Sequence, residues 1–293
     1  MNDHPFLRLF NRLIGLVLLG LVVALLARLV SGQSSAELWH TVQAALSNPI
    51  FWGAVAVGLL AQSVDGALGM AYGVTASSFL LLMVASPAMA SGATHLAEVF
   101  TTGVSGIWHQ RLGNVNRRLF LSLVIPGVAG GLLGTYVLTS VDAAVLKPLV
   151  SAYLLLMGLY VLRKALQKAA AAKALSSRRI SLVAVTGGFL DSTGGGGWGP
   201  IVTTTLVGAG EDPRTTIGSV NYAEFFLTVT VAAALFAVLD HTVWLLVAGL
   251  IVGGVFAAPV AAYATRHFSS RTLMLLVGTL ITAISLFNLL NAL

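Results

Sequence analysis

The chain has no cysteine. That excludes disulfides, thiolate metal ligands and a thiol nucleophile, and it leaves the compartment open. Charge is also scarce. Only 9% of the 293 residues are Asp, Glu, Lys or Arg, against about 25% in a soluble domain. With 57% hydrophobic residues and a mean hydropathy of +0.92, most of the surface must face lipid. The chain therefore reads as an all-α polytopic membrane protein. Its net charge of +6 is then no pointer to nucleic acid, because basic residues mark the cytoplasmic loops of membrane proteins. Other signatures are missing too. There is no phosphate-binding G-x-x-x-x-G-K-[ST], no paired-histidine metal motif and no serine elbow, so no enzyme activity, cofactor or metal is expected. The N-terminus lacks a small-residue cleavage site after its apolar run, so residues 13–30 read as a retained helix.

What is present is organised around one stretch, Leu190 to Pro200, which holds five glycines and a proline inside the apolar segment 180–207. Lipid cannot hydrogen-bond a bare backbone, so such a break must be buried in protein or line a polar cavity. The stretch has a twin. A shift of 126 residues aligns Asp65 with Asp191, Gly69 with Gly195 and Gly73 with Gly199. The register continues through Leu80/Leu206, Pro87/Pro213, Gly92/Gly218, Ala97/Ala223, Glu98/Glu224, Phe100/Phe226 and Thr102/Thr228. Broken apolar segments in matching halves point to a transporter's binding site.

In chain order, 1–49 is an N-terminal transmembrane helix (13–30) and an external loop. The first repeat is 50–164, a basic cytoplasmic linker is 165–179, and the second repeat is 180–293. Segment 50–85 is too long for one crossing, since a straight helix of that length would reach ~54 Å against an apolar core of ~30 Å. Its glycines divide it. Spans follow at 88–109, 119–140 and 144–162, and in the second half at 217–239, 242–264 and 272–291, after an acidic loop 208–216. Arg28 near the end of the first helix is expected to snorkel. Basic residues fall at 111–118, at 163–179 (with Lys168 and Lys173) and at Arg266/Arg271, while 31–49 has no Lys or Arg. All of these biases agree only if each broken segment dips in and returns to its own side. Each repeat is then a glycine-broken re-entrant helix pair plus three transmembrane helices. That odd count inverts the second repeat, with the N-terminus cytoplasmic and the C-terminus external. Parallel repeats whose broken helices span fully are the alternative.

The candidate residues follow from the breaks. Each creates a half-helix start, Val74 to Ser78 and Pro200 to Thr205, whose unpaired N–H groups and partial positive charge suit an anion. Gly69, Gly73, Gly195, Gly196, Gly197 and Gly199 are the candidate cradle, or else allow close helix packing. Tyr72 and Trp198 occupy matching positions and either donate to a substrate oxygen or act as packing plugs. Asp65 and Asp191 either hold a proton or sodium or cap the second half-helix. Glu98 and Glu224 sit mid-span, with His95 and Asn221 one helical turn earlier on the same face. Burial favours a neutral carboxyl, which makes both glutamates candidates for proton coupling, or for neutral hydrogen bonds between helices. His95 is either a cavity residue or a hydrogen-bond partner of Glu98. His109, Arg111, Arg117 and Arg118 read as cytoplasmic anchors. His4, His40, His241 and His267 read as interfacial.

Three stretches of the first half carry a resemblance: Asp65-Gly66-Ala67-Leu68-Gly69-Met70-Ala71-Tyr72-Gly73-Val74, Ala97-Glu98-Val99-Phe100-Thr101-Thr102 and Arg111-Leu112-Gly113-Asn114-Val115. In the second half Gly194 to Pro200 and Ile217 to Phe226 carry it. Over roughly 50–291 the chain resembles the sulfite exporter TauE/SafE family. One departure is Met70-Ala71-Tyr72, where many members have a second glycine cluster, so this half-site is bulkier. The resemblance implies a bacterial inner-membrane transporter of small sulfur-containing anions such as sulfite or sulfoacetate. The expected function is a secondary transporter exporting them by alternating access with proton coupling. A cation-coupled importer of a small organic anion and an anion channel or uniporter are the alternatives. The expected partners are the small anionic substrate and the lipid bilayer, with a homodimer left open.

Overall fold

The computed structural model describes residues 5–30, 35–84, 86–167, 175–239, 243–264 and 270–292. His4, Lys168, Lys173, His241, Arg266 and His267 lie outside the described residues, as does the side chain of Arg28. The elements are α1 (Pro5–Val30), α2 (Ser35–Ser47), α3 (Pro49–Leu68), α4 (Tyr72–Met83), α5 (Pro87–Arg111), α6 (Arg117–Ser140), α7 (Ala143–Leu166) and α8 (Ser177–Gly194). A π-helical turn, Gly199–Thr203, leads into α9 (Thr204–Gly208), and α10 (Pro213–Leu235), α11 (Trp244–Ala264) and α12 (Ser270–Ala292) follow. No strand occurs among the described residues. Among the described residues four helices are long and apolar enough to cross a membrane, five if the bent α2/α3 pair counts as one span.

Local sequence explains the helix starts. Asn48, Asn116, Asp142 and Asp212 each accept a backbone N–H of their own first turn, the usual work of a short polar N-cap. Pro49, Pro87 and Pro213 stand in their first turns, where the missing N–H costs nothing.

One expectation is corrected. Residues 31–49 read as an external loop, yet 35–47 form α2. Polarity argued for a loop, but the segment is rich in helix formers and has Glu37 in its first turn. It bends 70° into α3 because Pro49 keeps Asn48 extended. Trp52 Nε1 donates to the Leu46 carbonyl (2.8 Å) across the bend.

Glycine contacts show how the helices pack. Along α6 and α8, Gly130 meets Val185 and Gly134 meets Phe189, with Gly188 packed between Gly127 and Gly131, so these two run in the same direction. Along α3 and α11, Gly249 meets Phe51 and Gly253 meets Leu59, again in the same direction. The pairs α5/α10 and α7/α12 run in opposite directions. Gly92 meets Leu235 while Gly106 meets Tyr222, and Gly158 meets Thr282 while Gly278 meets Leu162. Small residues let these backbones approach closely without a hydrophobic driving force. The outward faces stay apolar, with Ile125, Tyr136 and Phe256 more than two-thirds exposed. The polar residues instead gather inside, where Gln62, Asp65, His95, Glu98, Asp191, Asn221 and Glu224 are buried.

Candidate functional site

Both apolar segments break where their sequences lose side chains. Helix α3 ends at Gly69 (φ +64°), whose N–H donates to the Asp65 carbonyl, and α8 ends at Gly195 (φ +67°), whose N–H donates to the Asp191 carbonyl. This left-handed conformation is open to glycine at no steric cost. Asp65 and Asp191 then reach across their own breaks. Asp191 Oδ1 accepts the Trp198 N–H (2.9 Å), and the Asp65 carboxylate accepts the Tyr72 N–H. Both aspartates cap the half-helix that follows.

The two breaks interlock. A side chain on Gly73 would meet Gly196, one on Gly196 would meet the backbone of Gly73 and Val74, and one on Gly199 would meet Met70 and the Gly69 carbonyl. Two hydroxyls fasten the junction in a crossed pattern. Thr203 Oγ1 donates to the Gly69 carbonyl (2.7 Å), and Ser77 Oγ donates to the Gly195 carbonyl. Ser77 and Thr203 are themselves related by the 126-residue shift, so each half satisfies the carbonyl that the other leaves bare. Thr102 and Thr228, also twins, face each other at 3.5 Å.

Chemistry at the two breaks differs. His95 reads as either a cavity residue or a hydrogen-bond partner of Glu98, and its hydrogen bond goes instead to Asp191 on α8. Its Nδ1 lies 2.8 Å from the Ser91 carbonyl, which only accepts, so Nδ1 carries a hydrogen. Its Nε2 lies 3.0 Å from Asp191 Oδ2, close enough to share one proton. Asn221, the twin of His95, takes a hydrogen bond from Ser105 Oγ (3.1 Å) and donates to the Ile217 carbonyl (3.2 Å). Among the described residues Asp65 Oδ2 has no partner, neither oxygen of Glu98 has one, and nor does Glu224 Oε2. Glu98 Oε1 lies against Gly73. The atoms of His95, Glu98 and Asp191 lie within 4.8 Å of one another, a grouping with the ligand types for a cation. Tyr72 OH donates to the Leu250 carbonyl (3.4 Å) and Trp198 Nε1 to the Val220 carbonyl (3.3 Å), so both aromatic donors serve neighbouring helices here.

A family model described as "Sulfite exporter TauE/SafE" matches residues 54–288. The chain belongs to the sulfite exporter TauE/SafE family. It is 42% identical over 243 residues to the "Probable membrane transporter protein YtnM" of Bacillus subtilis (strain 168), an alignment covering 80% of this chain and 81% of that one. No solved structure matches it. Family and relative make this chain a multi-pass membrane transporter.

Within this TauE/SafE chain the junction also uses residues that sequence reasoning passed over. Ser77 and Thr203 stood inside the half-helix starts, and their twin spacing was the available signal. Tyr153 on α7 donates to the Gly196 carbonyl (2.7 Å), and Ser91 Oγ donates to the Ser192 carbonyl (2.7 Å). Nothing local marks either one. His109 lies near Asn114 in the loop after α5 (3.3 Å) and also bonds the backbone of Gly66 in the last turn of α3, and Arg111 lies over the Trp108 ring (5.8 Å).

Proposed function

We propose that this TauE/SafE protein is a secondary transporter exporting a small sulfur oxyanion, sulfite or sulfoacetate, across the bacterial inner membrane by alternating access. The crossed junction of the two breaks is the observation that carries the reading. It joins two interrupted helices from matching halves by hydroxyl–carbonyl bonds that can open and re-form without leaving a charge exposed. Gly69, Tyr72, Gly73, His95, Gly195 to Gly199 and Asn221 are the substrate-binding residues of this reading. Two inverted repeats, each with a re-entrant pair, are its architecture. An axis in the membrane plane reverses a helix relative to its twin, and an axis along the normal does not. The antiparallel packing of α5 on α10 and of α7 on α12 supports the first. Gly73 beside Glu98, and Ser77 beside Thr94, set α4 antiparallel to α5. Helix α3 runs with α11, and α11 is the crossing that follows α10, itself opposed to α5. So α3 and α5 share a direction, α4 opposes both, and this reversal between α3 and α4 supports re-entry. The N-terminus is then cytoplasmic and the C-terminus external.

The buried carboxyls give this reading its coupling. An anion arriving at the junction faces Asp65, Glu98, Asp191 and Glu224, with no buried Lys or Arg among the described residues. The capping bond and His95 occupy both oxygens of Asp191, while Asp65 has only its capping bond and keeps Oδ2 without a partner among the described residues. Glu98 and Glu224 keep unpartnered oxygens, and protons there remove the repulsion that would bar the anion. A membrane potential negative inside already drives an anion outward, at about 2.3 kcal/mol per charge per 100 mV, so proton occupancy acts as the gate.

The test is sulfite flux in proteoliposomes, with and without a pH gradient, for wild type and for Glu98→Gln with Glu224→Gln. Saturable flux that responds to pH in the wild type and loses the response in the variant is expected. Saturable flux blind to both pH and substitution removes the proton role, and non-saturating flux makes the protein a channel. A requirement for an inward cation gradient would favour the importer.

A further inference from the structure

The end of the bundle where α6 and α8 begin carries grooves that the transport reading does not use. One, of about 560 Å3, is lined by Ser176, Arg178, Arg179, Ser181, Leu182 and Val185. A second, of about 510 Å3, includes Asn116, Arg118, Leu121, Ser122, Ile180 and Glu211. Arg118, Arg178 and Arg179 are exposed and form no ion pair among the described residues. The α8 N-cap, Ser176, makes no side-chain cap bond. Its carbonyl takes the Arg179 and Ile180 N–H groups, which leaves the Ser177 and Arg178 N–H groups available beside these guanidiniums. A second feature separates this surface from a generic basic loop. Immediately deeper along the same two helices the surface turns apolar: Leu121, Leu182 and Val185 line the grooves, Leu182 is 66% exposed, and Ile125, one turn further along α6, is 72% exposed. The surface is thus cationic at its mouth and hydrocarbon at its floor.

We propose that this amphipathic surface binds an anionic phospholipid. The headgroup phosphate sits among Arg118, Arg178 and Arg179, and the acyl chains lie along Leu121, Leu182 and Val185. Guanidinium forks match phosphate oxygens in pairs. Basic pockets between membrane helices attract anionic headgroups at the leaflet surface. The apolar floor favours a lipid over a free anion, because an inorganic phosphate gains nothing from Leu182 and a diacyl lipid buries it. Glu211 is the one acidic lining residue and opposes the headgroup. The proposal needs only that the bundle lie in a membrane, and it stands whether or not sulfite is the cargo.

The test is native mass spectrometry of the full chain in detergent, titrated with phosphatidylglycerol or with phosphatidylcholine. Phosphatidylglycerol should bind at least about tenfold more tightly than phosphatidylcholine. Joint replacement Arg118→Gln, Arg178→Gln and Arg179→Gln should erase that preference, and Glu211→Gln should strengthen it. These side chains are exposed, and an unchanged unfolding temperature without lipid checks the fold. Arg163→Gln with Lys164→Gln, basic residues outside the grooves, should leave the preference intact. The proposal falls if the triple variant keeps the preference or if the Arg163/Lys164 variant loses it equally. It also falls if millimolar inorganic phosphate displaces the lipid, which would make the surface a soluble-anion site.

Discussion

The two breaks have the same backbone and different chemistry. Each ends a helix on a left-handed glycine, each has an aspartate capping the next half-helix, and each lends a carbonyl to a hydroxyl from the other. Yet Asp191 has a partner on both oxygens, Trp198 N–H and His95, while Asp65 Oδ2 has none. The second break is glycine throughout 194–197, whereas the first places Ala71 at φ +89°, where its twin is Gly197. Duplication preserved the geometry that keeps the backbone satisfied and left the titratable shell free to diverge. The second break is a closed polar unit, and the first keeps its acid available.

Substitutions can break or sharpen this contrast. The largest effect belongs to Gly196→Val, because the new side chain would enter the backbone of Gly73 and Val74. Overpacking typically costs 1–3 kcal/mol. With no flexible side chain to yield here, a loss of at least about 3 kcal/mol is expected in thermal unfolding. Gly208→Ala, with open space around it, should be nearly neutral. Equal effects would mean that the breaks do not interlock.

His95→Ala comes next. It leaves Asp191 Oδ2 buried without a partner, for which about 1–3 kcal/mol is typical. Asn221→Ala at the twin position should cost about 1 kcal/mol, the worth of ordinary hydrogen bonds. Chemical denaturation of both variants measures the difference, and equal losses would erase the asymmetry. Ser77→Ala and Thr203→Val each remove one crossed bond and should cost about 1 kcal/mol apiece. Sharing one junction, they should depart from additivity in a double-mutant cycle.

The helix caps after the breaks extend the comparison at smaller scale. Asp212 caps α10 by accepting the Thr215 N–H at 2.8 Å, while its twin Ser86 caps α5 at 3.4 Å. Bonds from the Thr215 backbone and side chain hold the Asp212 carboxyl below its ordinary value. Its contribution is therefore full above the ordinary carboxylate range and fades as pH falls through the lowered value. Asp212 is exposed, so Asp212→Ala should cost only roughly 0.5–1 kcal/mol near pH 7. That deficit should vanish in strong acid, while Ser86→Ala should give a smaller deficit without pH dependence. Melting curves at two pH values decide it. The smallest expected effect is a gain. Ala71→Gly relieves the left-handed strain and should stabilise by up to about 1 kcal/mol.

The two helix breaks and the acids beside them were legible because the 126-residue register is written in residues with strong local meaning. Glycine pairs, matched aspartates and matched glutamates survive translation by 126 residues, and a glycine break inside an apolar run has few physical explanations. Partner choice was much less legible. The spacing of His95 and Glu98 on one helix left His95 either a cavity residue or a partner of Glu98, but its hydrogen bond to Asp191 of α8 is a contact that no local pattern encodes. The reading of 31–49 as a loop failed for a related reason, since polarity reports surroundings and α2 is an exposed helix.

By itself, then, the sequence determined an all-helical membrane chain with two broken segments, the positions of their breaks and the acids beside them. Those features follow from bilayer length, hydropathy and backbone hydrogen bonding. Only the tertiary structure decided which helices meet: α3 with α11, α6 with α8, α5 with α10 and α7 with α12. It alone brought Ser77 to Gly195, Thr203 to Gly69 and His95 to Asp191. In a soluble helix the apolar stripe announces the buried face. In this one lipid and protein are both apolar, so the buried face is chosen by the fit of small residues and by crossed polar bonds, which exist only once the chain has folded.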